Sequence, residues 1–351
     1  MELVCPAGSM PALKAAVDNG ANAVYLGFRD GTNARNFPGL NFDLDEARRA
    51  VHYAHERGAR VFLAINTYPR PSQWQKWCRA VDQAATLGID ALILADPGLM
   101  DYTVQTYPDL RLHLSVQGSA TSHEAIDFYV RHFGVRRVVL PRVLSLTQVQ
   151  NVMKRVNTEV EVFGFGSLCV MVEGRCTLSS YVTGESPNSN GVCSPAKHVK
   201  WEESASGRRS RLNGVLIDTY APDEPAGYPT ICKGRFAVQG CTNAAGAGRA
   251  GRAGAAEVGG KVYYAMEEPT SLNVLDILPE LYRAGVAAIK VEGRQRSPAY
   301  VAQVTRTLRE AIDACISDPE TFVPEVEWVK QLDNVAEGRC HTLGAYSRPW
   351  Q

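Results

Sequence analysis

Arg60-Val-Phe-Leu-Ala-Ile-Asn66, an amphipathic run from Gln73 to Leu87 closed by Gly88, and Asp90-Ala-Leu-Ile-Leu-Ala-Asp96 follow one another directly. An apolar run of strand length, a stretch with helical spacing and a second apolar run make one βα unit. Both strands are apolar along most of their length rather than alternating, which predicts a parallel sheet covered on both faces.

Outward from this unit the same rhythm holds. Toward the amino end, Leu3-Val-Cys-Pro-Ala7 and Ala23-Val-Tyr-Leu-Gly27 read as strands, with helices over 11–19 and 45–57 stopped by Gly20 and Gly58. Toward the carboxyl end, strands are expected at 111–117, 137–141 and 160–166, with helices over 98–106, 123–132 and 146–156. The pattern then lapses and returns with a helix over 271–284, capped at Thr270 or Ser271, a strand at 287–292 and a helix over 299–315. Eight such units predict an α/β fold, a (β/α)8 TIM-like barrel, with an open doubly wound sheet as the alternative.

One barrel domain is expected over 1–351, carrying a long irregular cysteine-rich insertion at 167–266 after strand 7. Within it, 240–260 is a Gly/Ala stretch expected to be a mobile loop, with Cys241 at its edge. The polar tail, 317–351, is expected to pack on the outside of the barrel.

With 351 residues, 45% of them hydrophobic, the chain can bury a large core. Lys plus Arg and Asp plus Glu both number 37, a balance that argues against nucleic acid as the main partner. No apolar run is long enough to span a bilayer and no secretory signal is recognised, so a reducing, cytoplasmic location is expected.

Cys169, Cys176, Cys193 and Cys232 lie in the insertion, separated by six, sixteen and thirty-eight residues. The surrounding Gly, Ser, Pro and Asn cannot bury enough apolar surface to order the segment. Disulfides do not suit a reducing compartment, and the paired Cys-x-x-Cys knuckles of structural zinc sites are missing. Spacing leaves two readings open: four thiolates on one iron–sulfur centre, or four separate buried cysteines.

The run Glu161-Val-Phe-Gly-Phe-Gly-Ser-Leu-Cys169, then Gly174-Arg-Cys-Thr-Leu-Ser179, resembles the signature of the collagenase-like "peptidase" family of unknown catalytic type. The likeness extends from Leu3-Val-Cys-Pro-Ala-Gly8 through Ser186-Pro-Asn188, Gly227–Arg235, Glu268–Asn273 and Val291–Pro298 to Leu343-Gly-Ala-Tyr346. The stretch 240–260 departs from the family pattern, which runs more directly to Tyr264. Resemblance to the iron–sulfur members implies a [4Fe-4S] cluster on Cys169, Cys176, Cys193 and Cys232. It also implies a part in O2-independent hydroxylation of the aromatic ring of a ubiquinone (coenzyme Q) precursor. The implied partners are a homologous iron–sulfur protein, UbiV, in a heterodimer, and a lipid-carrier accessory protein, UbiT. Other members hydroxylate RNA bases, with prephenate implicated as oxygen donor.

In a (β/α)8 barrel, sites form on the face where the carboxyl ends of the strands meet. Asn66, Gln117, Arg142, Glu292 and Arg294 stand at those ends and are candidate substrate-binding residues, with Asn33 and Arg35 of the polar loop 33–41. Glu173, Arg175, Lys233 and Arg235 flank the cysteines, where basic groups offset thiolate charge or grip an anion. Cys5, Cys78, Cys315 and Cys340 read as structural. Hydrolytic chemistry finds little support: only His198 falls near the expected mouth, and no His-Glu-x-x-His helix occurs.

Overall fold

The computed structural model describes residues 1–169, 176–224, 226–237 and 262–348. Eight strands form its centre: β1 (Glu2–Pro6), β2 (Ala23–Gly27), β3 (Arg60–Ile65), β4 (Ala91–Leu94), β5 (Leu112–Leu114), β6 (Arg137–Val139), β7 (Glu159–Ser167) and β8 (Ala288–Val291). Each runs parallel to the next, and Ala288 of β8 pairs with both Glu161 of β7 and Glu2 of β1. The sheet therefore closes into a TIM-like barrel, which removes the open-sheet alternative.

Successive strand residues face opposite sides. Leu3, Val24, Leu26, Val61, Leu63 and Leu92 join the core beneath the helices, whereas Val4, Ala23, Tyr25, Phe62, Ala64, Ala91 and Ile93 form a separate cluster lining the barrel. The outer helices begin at side-chain caps on Ser9, Asp43, Asp96, Ser122, Ser145 and Ser297, each satisfying an otherwise orphaned backbone N–H.

The barrel interior also carries charge. Glu161 accepts from Lys290 at 2.6 Å and pairs with Arg137 at 3.2 Å, while Arg137 reaches Glu2 at 2.8 Å. Beside them His113 is buried with its ring edge-on to Phe62. Burial, then the charges of Arg137, Arg111, Lys290 and Arg60, hold its pKa well below the ordinary 6.5. The folded chain thus keeps His113 neutral where the unfolded chain would protonate it, so stability falls as pH drops below about 6.5. Denaturation midpoints measured from pH 7 to pH 5 should decline, and His113→Gln should flatten that decline by up to about 1.4 kcal/mol per pH unit. An unchanged slope in the variant would show that His113 does not titrate on unfolding.

One expectation requires correction. Ser271 caps no helix: Ser271–Asn273 is a strand, antiparallel to β7 and parallel to His341–Thr342, and the helix is confined to Leu278–Arg283 after a 3-10 turn. Long-range pairing on both edges overrides the local helical spacing. The insertion after β7 is irregular, as expected, with some regular elements inside it. It holds a helix at Thr177–Thr183 and an antiparallel meander of Val199–Ser204, Gly207–Leu212 and Val215–Tyr220. Asn213 and Gly214 turn the second hairpin with φ of 47° and 84°, the backbone that an Asn-Gly pair favours.

The tail adds the helix Val326–Val335, which buries Trp328 and Leu332 against the helix Pro298–Ser317. Tyr346 then donates to the Phe163 carbonyl at 3.0 Å. The stretch 240–260 and Cys241 lie outside the described residues. No helix among the described residues is long and apolar enough to cross a membrane.

Candidate functional site

The carboxyl ends of the strands converge around Glu292, the residue after β8. Its buried carboxylate pairs with Arg35 at 2.5 Å and with Arg142. Arg142 stacks on Phe163 of β7, its guanidinium carbon 3.5 Å from the ring centroid, a cation–π contact that fixes its plane. Burial alone would raise the Glu292 pKa, but the charges of Arg142, Arg35 and Lys233 outweigh it and hold the carboxyl at about 2.

Arg294 follows two residues later and is 4% exposed. Its Nε and Nη1 have no acceptor. It fits only because small residues surround it: a Cβ on Gly27 would lie 2.7 Å from its Nη1, and one on Gly8 would lie 1.7 Å from its carbonyl oxygen. Gly27 ends β2 and Gly8 lies two residues past β1, so both positions give up a side chain to let this segment into the mouth.

Other candidates serve the loop over the mouth. Asn33 donates to the Phe28 carbonyl and accepts from the Arg35 N–H at 3.0 Å, folding the turn that presents Arg35. Asn66 accepts from the Ala34 N–H at 2.9 Å and donates to Ser115 Oγ at 3.0 Å. Both side chains are thus engaged in positioning. Gln117 is buried after β5, its Oε1 without a donor. Lys233 donates to Ser167 Oγ at 2.8 Å and pairs with Glu337, which also meets Arg296 at 3.0 Å. Arg235 pairs with Asp218 at 2.5 Å within the insertion. Glu173 and Arg175 lie outside the described residues.

Sequence reasoning missed three members of this site: Tyr25, Phe163 and Glu337. Tyr25 donates to the Val291 carbonyl at 2.9 Å, and an aromatic with a polar tip in the otherwise aliphatic β2 was its available signal. Glu337 left no trace, because only the tail's return path brings it to Lys233.

The cysteines border this mouth. Cys169 follows β7, Cys176 caps the helix Thr177–Thr183 with its Sγ accepting from the Ser179 N–H at 3.3 Å, and Ser179 Oγ donates to the Cys193 carbonyl. Cys232 lies in the 3-10 turn Ile231–Lys233. Burial pushes the Cys232 thiol up to about 11, with the nearby Cys193 and Cys176 adding to the rise. Burial likewise raises Cys193, with Arg35 opposing it and Cys176 reinforcing it. Cys176, Cys193 and Cys232 therefore lie within electrostatic reach of one another, and Arg35 links Cys193 to the Glu292 ion pairs.

All four are free. Among the described residues no three His, Cys, Asp or Glu side chains are arranged to hold a metal ion. The donor chemistry fits a thiolate-bound iron group, since half-buried thiols with a cation nearby are suited to it. Cys5, Cys78 and Cys315 are buried and Cys340 is exposed.

The chain matches the model of peptidase family U32 over residues 8–349. It is 29% identical over 338 residues to tRNA hydroxylation protein P1 of Bacillus subtilis, covering 95% of this chain and 68% of that one. It is 30% identical over 320 residues to tRNA hydroxylation protein P of Escherichia coli, covering 89% and 68%. Against the 23S rRNA 5-hydroxycytidine C2501 synthase of Escherichia coli the identity is 26%, covering 99% of this chain but 47% of that protein. With a closed parallel barrel and a family match running nearly end to end, this chain belongs to peptidase family U32.

Proposed function

We propose that the chain is the iron–sulfur subunit of an O2-independent hydroxylase acting on the aromatic ring of a ubiquinone precursor. Under this reading it is a UbiU-type subunit, paired with UbiV and supplied by the lipid carrier UbiT, with prephenate as oxygen donor. The observation that carries it is the sharing of Arg35 between Cys193 and the Glu292 carboxylate, which sets a thiol of the cysteine group beside a cationic site. Relatives named for RNA hydroxylation support the reaction class. The even balance of 37 basic and 37 acidic residues favours a small aromatic over RNA as the substrate.

A [4Fe-4S] cluster on Cys169, Cys176, Cys193 and Cys232 supplies one-electron chemistry when bound. The chain's own residues bind and orient. With its carboxyl held at about 2, Glu292 stays ionised near neutrality and is no proton donor. It clamps Arg35 and Arg142 in fixed planes, a preorganised cationic wall for a ligand that carries or develops negative charge. Among the described residues His55 pairs with Asp90 and His341 with Asp333, and neither ring is bonded to a serine or cysteine.

RNA-base hydroxylation is the second reading, favoured by the names of the relatives. Removing the gene from its host and growing the cells without oxygen separates the two. The account expects quinone to fall while hydroxylated nucleosides in tRNA and rRNA persist. The reverse pattern would establish the RNA reading.

A further inference from the structure

Arg294 is the most anomalous charged group in the mouth. At 4% exposure its guanidinium has left water, yet Nε and Nη1 find no acceptor. A buried cation without a hydrogen-bonded counter-charge is strongly unfavourable, and proteins keep one only where something else repays it. The nearest carboxylate, Glu292, is already engaged by Arg35 and Arg142. Tyr25 lies beside the group, its ring centroid 5.6 Å from the guanidinium carbon, but its hydroxyl donates to the Val291 carbonyl. Burial, together with Arg35, pulls the Arg294 pKa down to about 10 against the attraction of Tyr25 and Glu292. The chain also clears space for this side chain, since a Cβ on Gly27 would collide with Nη1.

From this geometry we infer that Arg294 anchors an anion subsite on the floor of the barrel mouth, and that the subsite takes the carboxylate of a small ligand. One guanidinium offsets one negative charge, so a monoanionic carboxylate matches where a phosphate dianion would bury charge unpaired. The depth of the group excludes a nucleic-acid backbone. The inference rests on the mouth being the ligand site of the proposed hydroxylase, but not on which ring is hydroxylated.

Direct binding tests it, with no need for turnover. Purified protein is titrated with benzoate, acetate or inorganic phosphate, with and without bound iron, while Tm and Kd are followed. Benzoate or acetate should raise Tm in the parent, and Arg294→Gln should weaken that binding about 10- to 100-fold. Arg294→Lys should restore part of it. Without ligand, Arg294→Gln should melt no lower than the parent, because it removes a buried charge that lacks a partner. Should Arg294→Gln fail to fold, or melt lower without ligand, the guanidinium is already paired and the inference is overturned. Phosphate binding without carboxylate binding, or carboxylate binding unchanged by Arg294→Gln, overturns it as well. Failure here would leave quinone loss in the gene-deleted host untouched, so the two ideas fail separately.

Discussion

Glu292→Gln is expected to destabilise the folded chain by about 3–5 kcal/mol, because it removes the carboxylate that Arg35 and Arg142 share inside the mouth. Arg142 is sandwiched between that carboxylate and Phe163, and cannot move to water without abandoning its stacking contact. The pH dependence has a definite sign. A carboxyl whose folded pKa is about 2 against an ordinary 4.5 contributes stability that is fully present above 4.5 and lost as pH falls toward 2. Urea denaturation of parent and variant at pH 7 and pH 3 checks both statements: the gap should be widest at pH 7 and narrow at pH 3. A loss below about 1 kcal/mol at pH 7 would show that the two arginines are held by other contacts.

That ion cluster shows what a sequence can disclose and what it cannot. Glu292, Arg294 and Arg142 are nameable from the sequence because a parallel barrel fixes which end of each strand faces the site and each stands just past such an end, and Arg35 because its polar loop follows β2. The strands themselves were readable because burial on both faces demands uninterrupted apolar runs, as in Val61 to Ile65 and Ala91 to Leu94. What remained hidden depends on contacts distant in the chain. Ser271–Asn273 looked helical, since nothing nearby reveals that His341–Thr342 will lie along its other edge. Glu161, Arg137 and Lys290 sit within otherwise apolar strands, and only barrel closure, which sets β8 beside β7, brings the charges together. The meander in the insertion carried one local sign, Asn213-Gly214, which the surrounding polar composition masked.

The second large effect concerns the thiols. Cys193→Ser is expected to abolish iron binding and the hydroxylation that depends on it, while the barrel stays folded. Cys193 lies in the insertion, outside the strands and helices that build the barrel core. Its thiol sits near Cys176 and Arg35, so the change should also weaken ligation at the remaining cysteines. Cys78→Ala is the matched control. Cys78 is buried on the barrel helix Trp74–Ala85, and this variant should lose some stability but keep its iron. Iron analysis with circular dichroism on both proteins reads the outcome. Iron retained by Cys193→Ser, or lost by a well-folded Cys78→Ala, would assign the metal to other ligands.

Four separated cysteines acting as one inorganic centre beside a cationic barrel mouth is the claim on which the functional account stands. Counting iron and acid-labile sulfide in protein purified without air, alongside its EPR spectrum after reduction, addresses that claim most directly. The account predicts about four of each per chain and a paramagnetic signal on one-electron reduction. Protein that is well folded, colourless and free of both elements after such a preparation would contradict it.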